Sequence, residues 1–341
     1  MPDHALKVTS ADVLRHRARA SGLDARRPPG SLAAAAWGGL QDSVPRGGVL
    51  SLHARVQAVA PDAWEDPSLV QIWFRGGTDY LVPRADAGIF TLGSYPRDPV
   101  RAQLLEHIAD LVHGVTGGRM SRDIPDDLGG RRLLYRRAAV TGRLHIRWDA
   151  SLTWVIPVER PAIDPEDARL ELARRFFAWF APASVAQLAR WTGVEPKDAR
   201  TTAQAIDHEL VPVQVDGPID KPGEQRFALA ARVDALRTAA PIEGARLLPM
   251  DDPFTKLDHG LLVADEARRL QALPRVGRSP GYIPGAVLLD GAVVGGWQRQ
   301  GRKVTIHPFG RLTARARDLI EREALALPIA GPGPAGVTFV V

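Results

Sequence analysis

The chain has no cysteine, which excludes disulfides, cysteine-ligated zinc and thiol catalysis together. Lysine is nearly as scarce. It stands only at Lys7, Lys197, Lys221, Lys256 and Lys303, so almost all positive charge is arginine. No apolar run approaches the length of a membrane span, and the first residues, Met1 to Lys7, form no apolar leader. A cytoplasmic protein without a membrane partner is expected. His, Asp and Glu do not recur at metal-ligand spacing, and neither a phosphate loop nor a dinucleotide fingerprint occurs. The expectation is therefore no metal and no cofactor.

What is present is an ordinary globular balance: 341 residues, 45% hydrophobic and 24% charged. That length is enough for two to four modules, each burying its own core. A net charge of +5 favours polyanionic partners.

The pattern reads as helices followed by hairpins, three times over. Thr9 with Asp12 makes a capping box for a helix over 9–22. Leu32 to Leu40 reads as a second helix and 48–58 as a third, separated by the polar break Gly38-Gly39-Leu40-Gln41-Asp42-Ser43-Val44-Pro45-Arg46-Gly47. Apolar strands at 69–74 and 80–83 flank a second break containing Gly76-Gly77. Next comes a helix over Pro99 to Val115, a basic segment at 131–137, and strands at 143–148 and 152–158. In the third pass Asp164 caps, Pro165 takes the first helical position, and Leu170, Ala173, Phe176, Phe177 and Phe180 form the buried stripe. Ser184 and Gln187 make another capping box. Pro196 opens the next helix, and 211–215 with 226–230 makes a wing. Beyond 232, Asp290-Gly291 suits a type I′ hairpin turn, followed by a helix over 312–326 and a strand over 337–341. The expected fold is α+β: three tandem winged helix-turn-helix modules (1–90, 91–161, 162–231) and a small β-barrel-like domain (232–341).

Several stretches, in this order, resemble the AlkZ/YcaQ-type winged-helix DNA glycosylases. Gly39-Leu40-Gln41 begins the segment where that family has Gln-x-Gln or Gln-x-Asp. Gly77-Thr78-Asp79-Tyr80-Leu81-Val82-Pro83 is similar to its Gly-Thr-x-His-Leu-Val-Pro. Ala189-Arg190-Trp191-Thr192-Gly193, Leu247 to Phe254 and Asp290 to Trp297 match further elements. The departures concentrate at the chemistry. Ser43 replaces the second Gln or Asp, Asp42 the apolar middle residue, and Tyr80 the His. Arg75 lies one residue early, and Asp258-His259 stands for Asp-Arg.

The resemblance implies a monofunctional DNA glycosylase acting on N7- or N3-alkylated purines in double-stranded DNA. It extends to bulky adducts and to antibiotic self-resistance, with a monomer suiting the tandem modules. An N7-alkylguanine is already cationic and leaves without protonation, so the enzyme's task is to place water under an oxocarbenium-like sugar. Gln41 Oε1 can accept from that water and Ser43 can orient it. Asp42 is an alternative base, and Asp42 or Ser43 as a plain helix cap is the other reading. Thr78 and Tyr80 are supporting residues, with Tyr80 also readable as a hairpin core aromatic. Arg15, Arg46, Arg75, Arg131, Arg132, Arg136, Arg143, Arg190 and Lys197 are candidate DNA contacts. The five lysines are scattered, none in the motif, which favours hydrolysis over lyase chemistry. A non-catalytic winged-helix DNA binder is the alternative, and an RNA binder ranks last.

Overall fold

The computed structural model describes residues 5–115, 134–219, 221, 223–238, 240–265, 267–268, 285–333 and 335–340. Strand β1 (Leu6–Thr9) runs into helix α1 (Ser10–Ala20), where Thr9 and Asp12 form the expected capping box. A short α2 (Leu32–Ala35) and strand β2 (Leu40–Gln41) precede α3 (Gly47–His53). Strands β3 (Leu69–Phe74) and β4 (Thr78–Pro83) form a hairpin, followed by α4 (Ala87–Leu92) and α5 (Pro99–Val115). Then come α6 (Leu134–Arg137), the hairpin β5 (Leu144–Trp148) and β6 (Thr153–Pro157), and α7 (Pro165–Phe180), α8 (Val185–Thr192) and α9 (Pro196–Ala205). Strands β7 (Leu210–Asp216) and β8 (Arg226–Leu229) lead to α10 (Val233–Thr238), β9 (Ala245–Leu248) and α11 (His259–Leu262). The chain finishes with β10 (Gly285–Leu289), β11 (Ala292–Gln300), β12 (Lys303–Pro308), α12 (Ala314–Leu325) and β13 (Gly336–Phe339).

The fold is α+β, with three sheets. The hairpins read as two separate wings lie in one antiparallel sheet, ordered β2-β4-β3-β5-β6, because Gln71 pairs with Ile146. The continuous apolar run of β3 has a physical reason. Val70, Ile72 and Phe74 face the aromatic core under α7, whereas Trp73 faces the core under α5. A strand covered on both faces has no polar alternation. The stripe of α7 packs here, with Phe176, Phe177 and Phe180 against Phe74, Phe90 and Trp191. In the second sheet β1 pairs in parallel with β7, extending the β7–β8 hairpin to three strands.

The third sheet corrects the barrel expectation. Its order is β13-β12-β11-β10-β9, and among the described residues its outer strands do not meet. Strand β13 joins β12 in parallel, and α12 packs its Ile320 and Ala324 against Leu247, Trp297 and Ile306, so a helix rather than strand closure covers the apolar face. The Asp290-Gly291 turn has positive φ at both residues (47° and 85°), as a type I′ turn requires.

One further correction bears on function. The helix expected through Leu40 ends at Ala35. Gly39 takes φ +76°, and Leu40 and Gln41 then pair with Leu81 and Tyr80 as an edge strand. The helix is capped at Ala36, the chain turns through 36–38, and left-handed Gly39 leads into the two residues that the sheet claims.

Candidate active site

Strand alternation decides where the motif residues point. Gln41 lies directly opposite Tyr80, so both side chains share a face. The Tyr80 hydroxyl donates to Gln41 Oε1 at 3.4 Å, and Gln41 Nε2 donates to Ser43 Oγ at 2.7 Å. Asp42 points the other way and is fully buried. Its Oδ1 accepts from the Gly48 amide at 2.8 Å, inside the first turn of α3, and its Oδ2 from Gln71 Nε2 at 2.8 Å. Burial pushes its carboxyl up to about 6, against the pull of the Gly48 amide, Gln71 and Arg46. A side chain added at Gly48 would meet Asp42 Oδ1 at 3.2 Å, so this approach suits glycine. Replacing Asp42 by alanine leaves the Gly48 amide and one Gln71 Nε2 hydrogen without acceptors, the other still held by the Trp148 carbonyl at 3.2 Å. We expect a loss of stability of about 2–3 kcal/mol in urea unfolding; an unchanged midpoint would count against a bracing role.

Two groups at the motif escaped the sequence reading. The loop after β9 brings Asp251 Oδ2 to Gln41 Nε2 at 2.9 Å. Lys256 Nζ donates to Gln41 Oε1 and lies 3.3 Å from Asp251 Oδ1. The lysine set aside as scattered is therefore at the motif, buried, with its ammonium 5.7 Å from the centre of the Tyr80 ring. The only signal available was that Asp251 lies within Leu247 to Phe254, a stretch noted for its match alone. The loop is pinned from below. Arg55 binds both oxygens of Asp252 at 2.7 Å, and Ser51 adds a bond at 2.8 Å. Asp251 itself sits at φ 64°, a left-handed conformation that turns its carboxylate toward Gln41.

Tyr80 is 1% exposed and packs edge-on to Phe74 at 5.1 Å, so it is a core aromatic whose hydroxyl reaches the cluster. Thr78 sits at the start of β4, opposite Phe74. Neither His53 nor His145 touches Gln41. Burial pushes both down to about 4, and His53 faces Glu323 at 3.7 Å.

The basic candidates divide into engaged and open groups. Arg15 pairs with Asp12 at 2.8 Å. Arg46 lies 3.9 Å over the Trp64 ring and donates to the Trp148 carbonyl at 3.1 Å. Arg136 lies 5.4 Å over Trp73. Arg143 is held by Asp110 at 2.6 Å and Glu106 at 3.3 Å, contacts that raise its pKa. Arg75 donates to the Arg190 carbonyl at 2.8 Å and is exposed, as are Arg190 and Lys197. Arg131 and Arg132 lie outside the described residues. Among the described residues no three His, Asp or Glu gather as metal ligands, and no helix is long and apolar enough to cross a membrane.

Known proteins resemble this chain along most of its length. The profile of the family described as DNA glycosylase AlkZ-like matches residues 34–328. An interstrand DNA cross-link repair glycosylase of Streptomyces sahachiroi is 24% identical over 332 residues, covering 81% of this chain and 84% of its own. The solved structure of the Streptomyces sahachiroi DNA glycosylase AlkZ superposes with a TM-score of 0.72 at 21% identity, covering 98% of this chain and all of that one.

Proposed function

The chain belongs to the AlkZ-like DNA glycosylase family, and from that premise we propose that it hydrolyses the N-glycosidic bond of N7- or N3-alkylated purines in duplex DNA, including bulky or crosslinked adducts. The observation that carries this reading is the cluster of Gln41, Ser43 and Tyr80 on one face of the sheet edge, with Asp42 turned into the core. A cationic N7-alkylguanine needs no protonation to leave. Such a site has only to hold water and the sugar in register, which a rigid polar cluster on strands does well. The residues after Ser43 and before Asp251, Val44, Pro45, Pro249 and Met250, line a cavity of about 190 Å³ with Leu50 and Trp297. Room beside the cluster, walled also by Gln298 and Arg299, supports a substrate larger than a methylated base. Lysine at the motif does not argue for lyase chemistry, since the Lys256 amine is buried and bonded to Gln41 and Asp251.

Exposed Arg75, Arg190 and Lys197 are the side chains we assign to DNA phosphates, as the turn at Arg75 abuts the end of α8. The test is to incubate the protein with duplexes carrying N7-methylguanine or a bulky N7 adduct and to score abasic sites. The wild type should produce them, and Gln41→Ala should slow release by roughly 10²-fold or more. Binding without abasic product on every adduct would leave a non-catalytic DNA binder instead.

A further inference from the structure

Gln41 has no bonding capacity left. A primary amide offers two donors and two acceptor lone pairs. Here Nε2 gives one hydrogen to Ser43 and one to Asp251, and Oε1 accepts from Lys256 and Tyr80. The amide cannot be turned over, because an ammonium only donates and a carboxylate only accepts. Nε2 must face Asp251 and Oε1 must face Lys256. A water approaching Gln41 therefore finds no free lone pair. Of the other groups at hand, Asp42 is 0% exposed with both oxygens engaged. The Ser43 hydroxyl is a poor base. Asp251 is different. Its side chain is 23% exposed, and it uses two of about four acceptor positions, one toward Gln41 and one toward Lys256.

We propose that Asp251 is the catalytic carboxylate of this enzyme, and that Gln41 is a positioning residue fixed between Asp251 and Lys256. The proposal rests on the glycosylase reading above. In that reaction the C1′–N9 bond breaks with its electron pair going to the purine, whose N7 charge is thereby discharged. The water oxygen bonds to the oxocarbenium carbon C1′, and the water's proton passes to Asp251 and then to solvent. No co-reactant is needed. The arrangement also accounts for Ser43. The carboxylate or amide missing from the second motif position is supplied from the loop after β9, 210 residues away.

The experiment measures single-turnover base release from an N7-methylguanine duplex, with affinity for undamaged duplex measured in parallel. Asp251→Asn and Asp251→Ser should each lose roughly 10²–10⁴-fold in rate while keeping wild-type affinity. Adding Ser43→Asp to Asp251→Asn should recover at least about tenfold, because it returns a carboxylate to the motif side of Gln41. Asp251→Asn within threefold of the wild-type rate overturns the assignment while leaving the glycosylase reading intact. Parallel loss of rate and affinity in both single variants also overturns it, making Asp251 a structural residue. A wild type that releases no base from either small or bulky adducts overturns the glycosylase reading and this proposal with it.

Discussion

Replacing Asp258 by alanine is expected to cost roughly 3–5 kcal/mol of folding stability. Asp258 is 0% exposed. Arg17 on α1 donates to it at 2.8 Å, Arg226 on β8 at 2.8 and 2.9 Å, and Gln187 on α8 at 3.2 Å. Arg17 also donates to the Phe180 and Pro182 carbonyls, at 3.1 and 3.0 Å. One carboxylate thus joins α1, α8, β8 and the loop that leads into α11. An ion pair of this kind adds little over a well-packed apolar replacement, but removing one partner leaves two guanidinium charges in the interior.

Burial pushes the Asp258 carboxyl up, and the two arginines outweigh it, holding it below its ordinary value of 3.8. Its stabilisation is therefore complete above that value and is lost as pH falls through the lower native pKa. Urea unfolding at pH 7 isolates the effect. It lies above the window in which His16, His53 and His145, held down to about 4 by burial, lose stability as they charge. A loss below about 1 kcal/mol would show that the arginines find other partners. The variant should also slow base release per folded molecule, because Lys256 lies two residues before Asp258. The segment carrying Asp251 and Lys256 is anchored at one end by Asp252 on Arg55 and at the other by Asp258 on Arg17 and Arg226.

The parts of this molecule legible in the sequence are those determined within a few residues. The boxes Thr9 with Asp12 and Ser184 with Gln187, the Asp164-Pro165 start and the Asp290-Gly291 turn each satisfy local backbone geometry, and each occurs as read. Gln41, Asp42 and Ser43 were legible as a polar motif through the family resemblance, but which way each side chain points was not. The illegible parts depend on distant partners. Leu40–Gln41 is a strand only because Leu81 and Tyr80 lie beside it. Arg143 reads as a free cation until α5 folds its Glu106 and Asp110 against it. Asp251 and Lys256 belong to the site through contacts spanning more than 200 positions, for which one sequence carries no periodic or spacing signal. A barrel was expected where α12 covers an open sheet, because strand count and length do not reveal which edge a final strand joins.

The second large effect is expected from the smallest exchange, Gly38→Ala. Gly39 of the pair is left-handed, but Gly38 is not, so alanine at 38 meets no backbone objection. The obstacle is contact. A Cβ there would lie 2.4 Å from the Trp179 ring, about 1 Å or more inside an ordinary carbon–carbon approach. Trp179 cannot yield easily. It is 3% exposed on α7, packed at a tilt against Trp37 at 5.5 Å and close to Phe180 at 6.5 Å. The more compliant partner is the segment carrying Gly38 itself, which enters β2 three residues before Gln41. Overpacking should cost about 1–3 kcal/mol. A displacement of about 1 Å at the motif should cost far more in rate, on the order of 10²-fold, with little change in affinity for undamaged duplex. The decisive comparison is a double-mutant cycle with Trp179→Leu, which opens space exactly where the methyl group intrudes. In that background Gly38→Ala should be nearly neutral for base release, giving a coupling energy of roughly 1–3 kcal/mol. Equal rate losses in both backgrounds would mean that Gly38 acts through chain flexibility. They would also mean that the register of Gln41 against Tyr80, Asp251 and Lys256 is not set by the packing of this glycine on α7.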